Sequence, residues 1–364
     1  MAGPSDPKKK PERPSVAARV AKAVVKKTVS RKAQARDKRV GRGSLAAKLI
    51  GAHAKQLERQ IEVHGVAGLA PLYRDAKAEL VARLARLGGK SKPSQAEIQA
   101  MIRQAEAVIQ TLGERQGGVL KGVSSRVVEM GVEQAAEEYR QMSRRISGTT
   151  PVLDLERGSQ LRGLVRDVDS SLLRRHSIQI GTWTQNAVLG MEQNLSVGFM
   201  SGKPVYSMIE DLMAENGLMA SERYKAERIV RTEGSFSHGT ARFNAIRRAR
   251  DELGDEKMQK RLVETFDDRT GDDSFLLHGQ TVPVDQPFTY KFKSQGSWMV
   301  KLYQHPPNRP NDRAVVIAWD PTWSETDIDR ALTIPELLVA PPTRWRATPG
   351  VKIPPGHRPG RPYR

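Results

Sequence analysis

From Ser44 onward the apolar residues fall at helical spacing. Leu45, Leu49, Leu57 and Ile61 follow an i, i+4 stripe, and His64-Gly65 is read as its end. Leu69, Tyr73, Ala76, Leu80 and Leu84 mark a second helix, stopped at Gly88-Gly89. Ser94 and Glu97 form a capping box, in which each residue satisfies a free backbone N–H of the other, and so predict the start of a third helix. Its face carries Ile98, Met101, Ala105, Ile109 and Leu112. A fourth helix is expected over 119–146, weakened by Gly122 and Gly131, then a fifth over 161–181 and a sixth over 185–199. Gly202-Lys203-Pro204 breaks the chain. Helices follow at 205–216 and 221–252, the latter expected to be interrupted between Gly234 and Gly239.

After Gly254 the periodicity fades. Short β-type runs at 281–284 and 315–319 lie among four turn signals: Asp267–Asp273, His278-Gly279, Asp285–Phe288 and His305–Arg313. Gly, Pro, Asn and Asp set turns through their φ preferences and side-chain caps, so this stretch holds loops in a defined shape. The predicted class is mainly α with a small C-terminal α+β module. The expected organisation is an arm at 1–43, a helical domain at 44–200, a second module at 201–339 and a tail at 340–364.

Charge sharpens this division. The net charge is +19, but residues 1–43 hold 14 Lys and Arg against three acids, and 340–364 hold six against none. The remaining body is close to neutral. Both ends are read as disordered, the first rich in Lys and Pro and the last in Pro and Arg. A 364-residue chain is long enough for two cores. It has no cysteine, which excludes disulfides and Cys-ligated metal centres. No apolar run is long enough to span a bilayer, and no signal-peptide pattern opens the chain.

Two stretches carry a family likeness. The first is AERIVRTEGSFSHGTARFNA at 226–245, with Arg231-Thr232-Glu233. The second is the turn-rich segment 264–320, with Asp268-Arg269-Thr270, His278-Gly279 and Pro307-Asn308. In this order they resemble the phage Mu F-like minor head proteins, the head morphogenesis proteins of tailed phages, over residues 200–320. Many members carry cysteines around the Asp-Arg-Thr and in the last turn, where this chain has none. The resemblance implies a non-enzymatic structural protein of the virion that needs no cofactor. It would act in procapsid assembly near the portal and in packaging or delivering the genome. The implied partners are the portal protein, the major coat protein or both, with scaffold a further candidate, and packaged double-stranded DNA. The implied location is the phage head, after assembly in the host cytoplasm.

Four places carry candidate chemistry. Basic residues of the arm (Lys8, Lys9, Lys10, Arg13, Lys22, Lys26, Lys27) can neutralise duplex phosphates without reading sequence. Arg31, Lys32, Arg36, Lys38 and Arg39 continue this series, and Arg358, Arg361 and Arg364 repeat it in the tail. The near lack of bulky apolar residues before Leu45 argues against membrane binding by the arm. Asp267, Asp268, Asp272, Asp273, His278, His305 and Asp312 are the residue types of a divalent-metal nuclease, although at turns they serve more simply as backbone caps. That nuclease, and a non-viral nucleic-acid-binding oligomer, are the rival readings.

Glu227 and Arg231 are placed to pair one helical turn apart, and Glu233 to reach Arg269 and pin the Asp-Arg-Thr turn to the helix. Ser235, Ser237 and His238 lack a third member for nucleophilic catalysis and are read as a helix interruption.

Overall fold

The structure, a computed structural model, describes residues 45–87, 94–148, 158–264, 277–294, 297–307 and 314–324. The chain divides into Met1–Ser44 and Leu45–Arg364, and every described residue lies in the second unit. The basic residues Lys8 to Arg39, together with Arg358, Arg361 and Arg364, therefore lie outside the described residues.

The helices are fewer and longer than the sequence predicts. Helix α1 (Leu45–Gln60) does not stop at Gly65. It passes through a π-helical turn, Ile61–Val66, into α2 (Ala67–Leu87). A Cβ at residue 65 would stand 2.5 Å from Val230 Cγ1, so this glycine is a point of close packing. Helix α3 (Gln95–Met142, 48 residues) replaces the expected third and fourth helices. Its capping box is formed as predicted, with Ser94 Oγ accepting from the Glu97 N–H and Glu97 accepting from the Ser94 N–H.

Gly117, Gly118 and Gly122 do not end α3, because Leu120, Val123 and Val127 between and beyond them are fully buried. Burying a large apolar side chain is worth about 1.5–3 kcal/mol, against about 1 kcal/mol lost per helical glycine. Helix α4 (Gly158–Met200) likewise merges the expected 161–181 and 185–199, with Trp183 buried at the supposed break. Helix α5 is Val205–Met213 and α6 is Leu218–Leu253, the latter continuous through SFSHGT.

Two antiparallel sheets follow, consistent with the mainly α class and its small β-containing C-terminal module. Strands β1 (Gln259–Val263), β2 (Thr281–Pro283) and β5 (Val315–Trp319) form the first, in the order β2-β1-β5. Val263 pairs with Val315 and Gln259 with Trp319. Strands β3 (Phe288–Ser294) and β4 (Ser297–Tyr303) form a separate hairpin in which Phe288 pairs with Tyr303. Runs 281–284 and 315–319 were visible in the sequence; β1, β3 and β4 were not among the predicted strands.

Two apolar cores result. One joins the end of α1 and its π-turn, α2, α3 as far as Met130, the second half of α4, α5 and the start of α6. The other joins the end of α3, the end of α6 and β5, with Val128, Val132, Ala245 and Val316 among its members. Segments 44–200 and 201–339 thus share both cores. No described helix is long and apolar enough to cross a membrane.

Candidate functional site

Beyond their shared apolar core, the end of α6 is hydrogen-bonded to β5 by a buried arginine. Arg242 is wholly buried, and its Nε and Nη2 donate to the Val316 carbonyl at 3.1 and 3.0 Å. Its Nη2 also donates to Glu138 of α3, and its Nη1 to Gln134 Oε1. Glu138 meets His53 Nδ1 of α1 at 2.6 Å, and His238 Nε2 meets Gln134 Oε1 at 2.9 Å. Burial pushes the Glu138 carboxyl up, but Arg242 and His53 outweigh it and hold it at about 2. Burial, with Arg242 and His53 nearby, keeps His238 neutral. A neutral His238 donates from Nε2 to the amide oxygen, which faces donors on both sides. Three helices and a strand are therefore joined by a satisfied polar network.

The Arg-Thr-Glu residues lie one stretch earlier on α6. Arg231 pairs with Glu227 one turn away, as the spacing predicts, and donates to Glu62 Oε1 in the π-turn at 2.7 Å. Thr232 is half-buried. Glu233 is buried, and both its oxygens accept from Arg175 of α4, at 2.6 and 2.9 Å. Glu233 thus has a partner on α4, and its expected pairing with Arg269 falls on a residue outside the described ones. The Arg175 guanidinium also sits 3.9 Å from the centre of the Phe236 ring.

SFSHGT is a contact surface on an unbroken helix. A Cβ at Gly234 would stand 2.9 Å from Ile61 Cγ1, and one at Gly239 would stand 2.0 Å from the Pro306 carbonyl oxygen. Gly131 of α3 approaches the His238 carbonyl in the same way, at 2.9 Å. Ser237 is fully buried, donates to the Glu233 carbonyl at 2.8 Å, and lies 3.4 Å from His176 Nε2. Ser124 Oγ donates to it at 3.0 Å. The hydroxyl proton is committed and the oxygen enclosed, so this Ser–His proximity is packing rather than an activated nucleophile. His176 was not singled out in the sequence because it lies 61 residues away.

The turn residues also act structurally. His278 Nδ1 accepts from the Glu264 N–H at 3.1 Å and so joins the two ends of 264–278. Gly279 has φ +76°, a left-handed conformation that favours glycine, and its N–H donates to the Leu262 carbonyl. The Pro306–Pro307 peptide is cis, and Pro307 is half-buried. His305 packs between Phe236 and Phe243, with ring centres 5.0 and 5.8 Å away. Its Nδ1 meets the Pro306 carbonyl and its Nε2 the Thr240 hydroxyl. Lys260, also buried, donates to the Gln304 carbonyl and side chain beside Phe243, and burial lowers its ammonium to about 8.

The carboxylates Asp267, Asp268, Asp272, Asp273 and Asp312 lie outside the described residues, as do Arg269, Thr270 and Asn308. Among the described residues no group of three or more His, Asp and Glu side chains is placed to hold a metal ion. The arrangement fixes the His305–Pro307 turn onto α6 and the His278-Gly279 turn onto β1. No protein-family model, curated protein or solved structure matches the chain.

Proposed function

We propose that this chain is a minor structural protein of a tailed-phage head, acting in procapsid assembly near the portal and in packaging or delivery of the genome. The observation that supports it is the use made of the motif residues. Arg231 and Glu233 bind neighbouring helices, His278 and Gly279 close a turn on β1, and the His305–Pro307 turn lies on Gly239 of α6. These contacts favour a scaffold role for the motifs over turnover. A near-neutral body docks on portal or coat protein, while the arm at 1–43 and the tail at 340–364 contact duplex phosphates.

Mass spectrometry of tailed particles purified from the source strain tests the reading. Peptides of this chain, at a few copies per particle and retained after nuclease treatment, are the expected result. Particles that assemble, package DNA and infect without this chain would overturn it.

A further inference from the structure

Residues 177–202 contain a single charged side chain, Glu192, in a chain of which 28% is charged. Up to Met200 they form the second half of α4, whose inner face (Trp183, Ala187, Met191 and Leu195) is buried in the helical core. The opposite face is open. Ile178, Leu189 and Met200 on it are 56%, 53% and 88% exposed. Between them lie Thr182, Gln185 and Gln193, all exposed, and Ser196, half-buried. Exposed helical faces normally carry charge, so a stretch of 23 residues (178–200), about 33 Å of helix, with Glu192 as its single charged side chain is unlike ordinary solvated surface.

This stripe has a further property. Its intervals run 4, 3, 4, 4, 3, 4, and it reads the same chemically from either end. Seven residues to each side of Leu189 stand the hydroxyls of Thr182 and Ser196. Four to each side stand the amides of Gln185 and Gln193, and eleven to each side the apolar Ile178 and Met200. A contact built on a two-fold axis needs this: residue i meets j while j meets i. Spacings of three and four residues are also those of a seam between packed helices.

We propose that this face of α4 is an interface with α4 of a second copy of the chain, antiparallel, with the two-fold axis at Leu189. Leu189 then packs on its own counterpart. The glutamines exchange amide hydrogen bonds, the Thr and Ser hydroxyls pair, and Ile178 covers Met200 of the other copy at each end. Charge favours a second copy. The chain carries +19 overall, so copies repel wherever basic surfaces meet, whereas this face holds no Lys or Arg, and Glu192 at its border lies opposite Asn186 of the second copy. Val197, 65% exposed, flanks the seam on the same helix and loses further apolar surface to it. The inference does not depend on the phage-head reading.

The full chain has no cysteine, so a single introduced thiol reports one position. Leu189→Cys lies on the axis and is expected to oxidise to a covalent dimer, since a disulfide needs Cα atoms within about 7 Å. Ile178→Cys alone should form no covalent dimer under the same oxidation, but should cross-link when mixed with Met200→Cys. Without oxidant, the wild-type chain should sediment as a dimer as its concentration rises to about 0.1 mM. Leu189→Glu, which sets two carboxylates face to face, should sediment as a monomer with unchanged helical circular dichroism. A wild-type chain that stays monomeric throughout would overturn the proposal and leave the face to a different partner. Ile178→Cys cross-linking to itself as readily as Leu189→Cys would equally overturn it, because that is the parallel arrangement.

Discussion

Gly239 of α6 and Pro306 of the last turn approach so closely that a Cβ at residue 239 would stand 2.0 Å from the Pro306 carbonyl oxygen. The obstacle is backbone, which cannot swing aside as a side-chain tip can. His305, bonded to that same carbonyl, is held between Phe236 and Phe243. A missing methyl group thus lets the turn lie on the helix.

Gly239→Ala should therefore lower stability by about 1–3 kcal/mol through overpacking. Gly122→Ala on α3 is the contrasting change: nothing lies within 4 Å of its Cβ, and the site is exposed. It should raise stability by up to about 1 kcal/mol through helix propensity alone. Urea unfolding midpoints of the two variants, read by circular dichroism, check both signs. A stabilising Gly239→Ala would show that the turn is not held against the helix.

The Arg242–Glu138 pair should be costly to break from one side. Glu138→Ala leaves a buried guanidinium without its carboxylate, at about 3–5 kcal/mol, whereas replacing both residues with Met should recover part of that loss. The Glu138 carboxyl, at about 2 in the fold, lies below its ordinary value of 4.5. Its contribution is present above pH 4.5 and is lost as pH falls toward 2. Chemical denaturation of the wild type across that window should steepen with acid, and the double Met variant should show a shallower dependence.

A second acid-sensitive window lies higher. Burial lowers the His305 imidazole to about 4, with Lys260 and Arg175 acting the same way and the Pro306 carbonyl opposing. Burial lowers His238 and His176 as well. Each favours the fold in its neutral form, so that stability is complete above pH 6.5 and declines as pH falls from there toward 4. The melting temperature should drop across this range, and His305→Phe should reduce the drop. An unchanged profile in that variant would remove His305 as a cause.

Charge reversal identifies the partner of Glu233. Glu233→Arg should lose soluble protein, because it sets two cations together on α4 and α6. Adding Arg175→Glu should restore solubility in part, and adding Arg269→Glu should not. The bridge is buried at Glu233 but 39% exposed at the Arg175 side chain, so about 1–3 kcal/mol is at stake rather than the full cost of a buried pair. Equal rescue by both second changes would leave Arg175 without a special role.

Removing 1–43 and 340–364 takes away most of the net charge of +19. Duplex DNA affinity should fall steeply, and an arm engaging about six phosphates would carry a slope of about −5 in log affinity against log salt. Titrations of full-length and shortened protein at several salt concentrations measure it. Equal affinity and equal slope would move the DNA contact onto the folded body.

Much of this architecture was legible because its signals are local. The capping box at Ser94 and Glu97 involves residues three apart, and the apolar stripes of α1 to α3 repeat every turn, so neither needs knowledge of a distant partner. The same holds for the pairing of Glu227 with Arg231 and for the β runs between turn residues. Glycine misled the reading, since its local meaning is flexibility. Gly65, Gly131, Gly234 and Gly239 were read as ends or weak points of helices, yet they lie inside continuous helices where another chain segment comes too near for a Cβ.

By itself, the sequence determined the helical class and the placing of charge at the two ends, whereas the stripe about Leu189 lies on one face only because α4 is unbroken. Only the tertiary structure decided that Glu233 meets Arg175, 58 residues away, that Arg242 joins α3 to β5, and that His176 lies beside Ser237. Those contacts depend on which helix faces pack together. Packing is set by the summed burial of many side chains, and no single residue's neighbours in the chain record it.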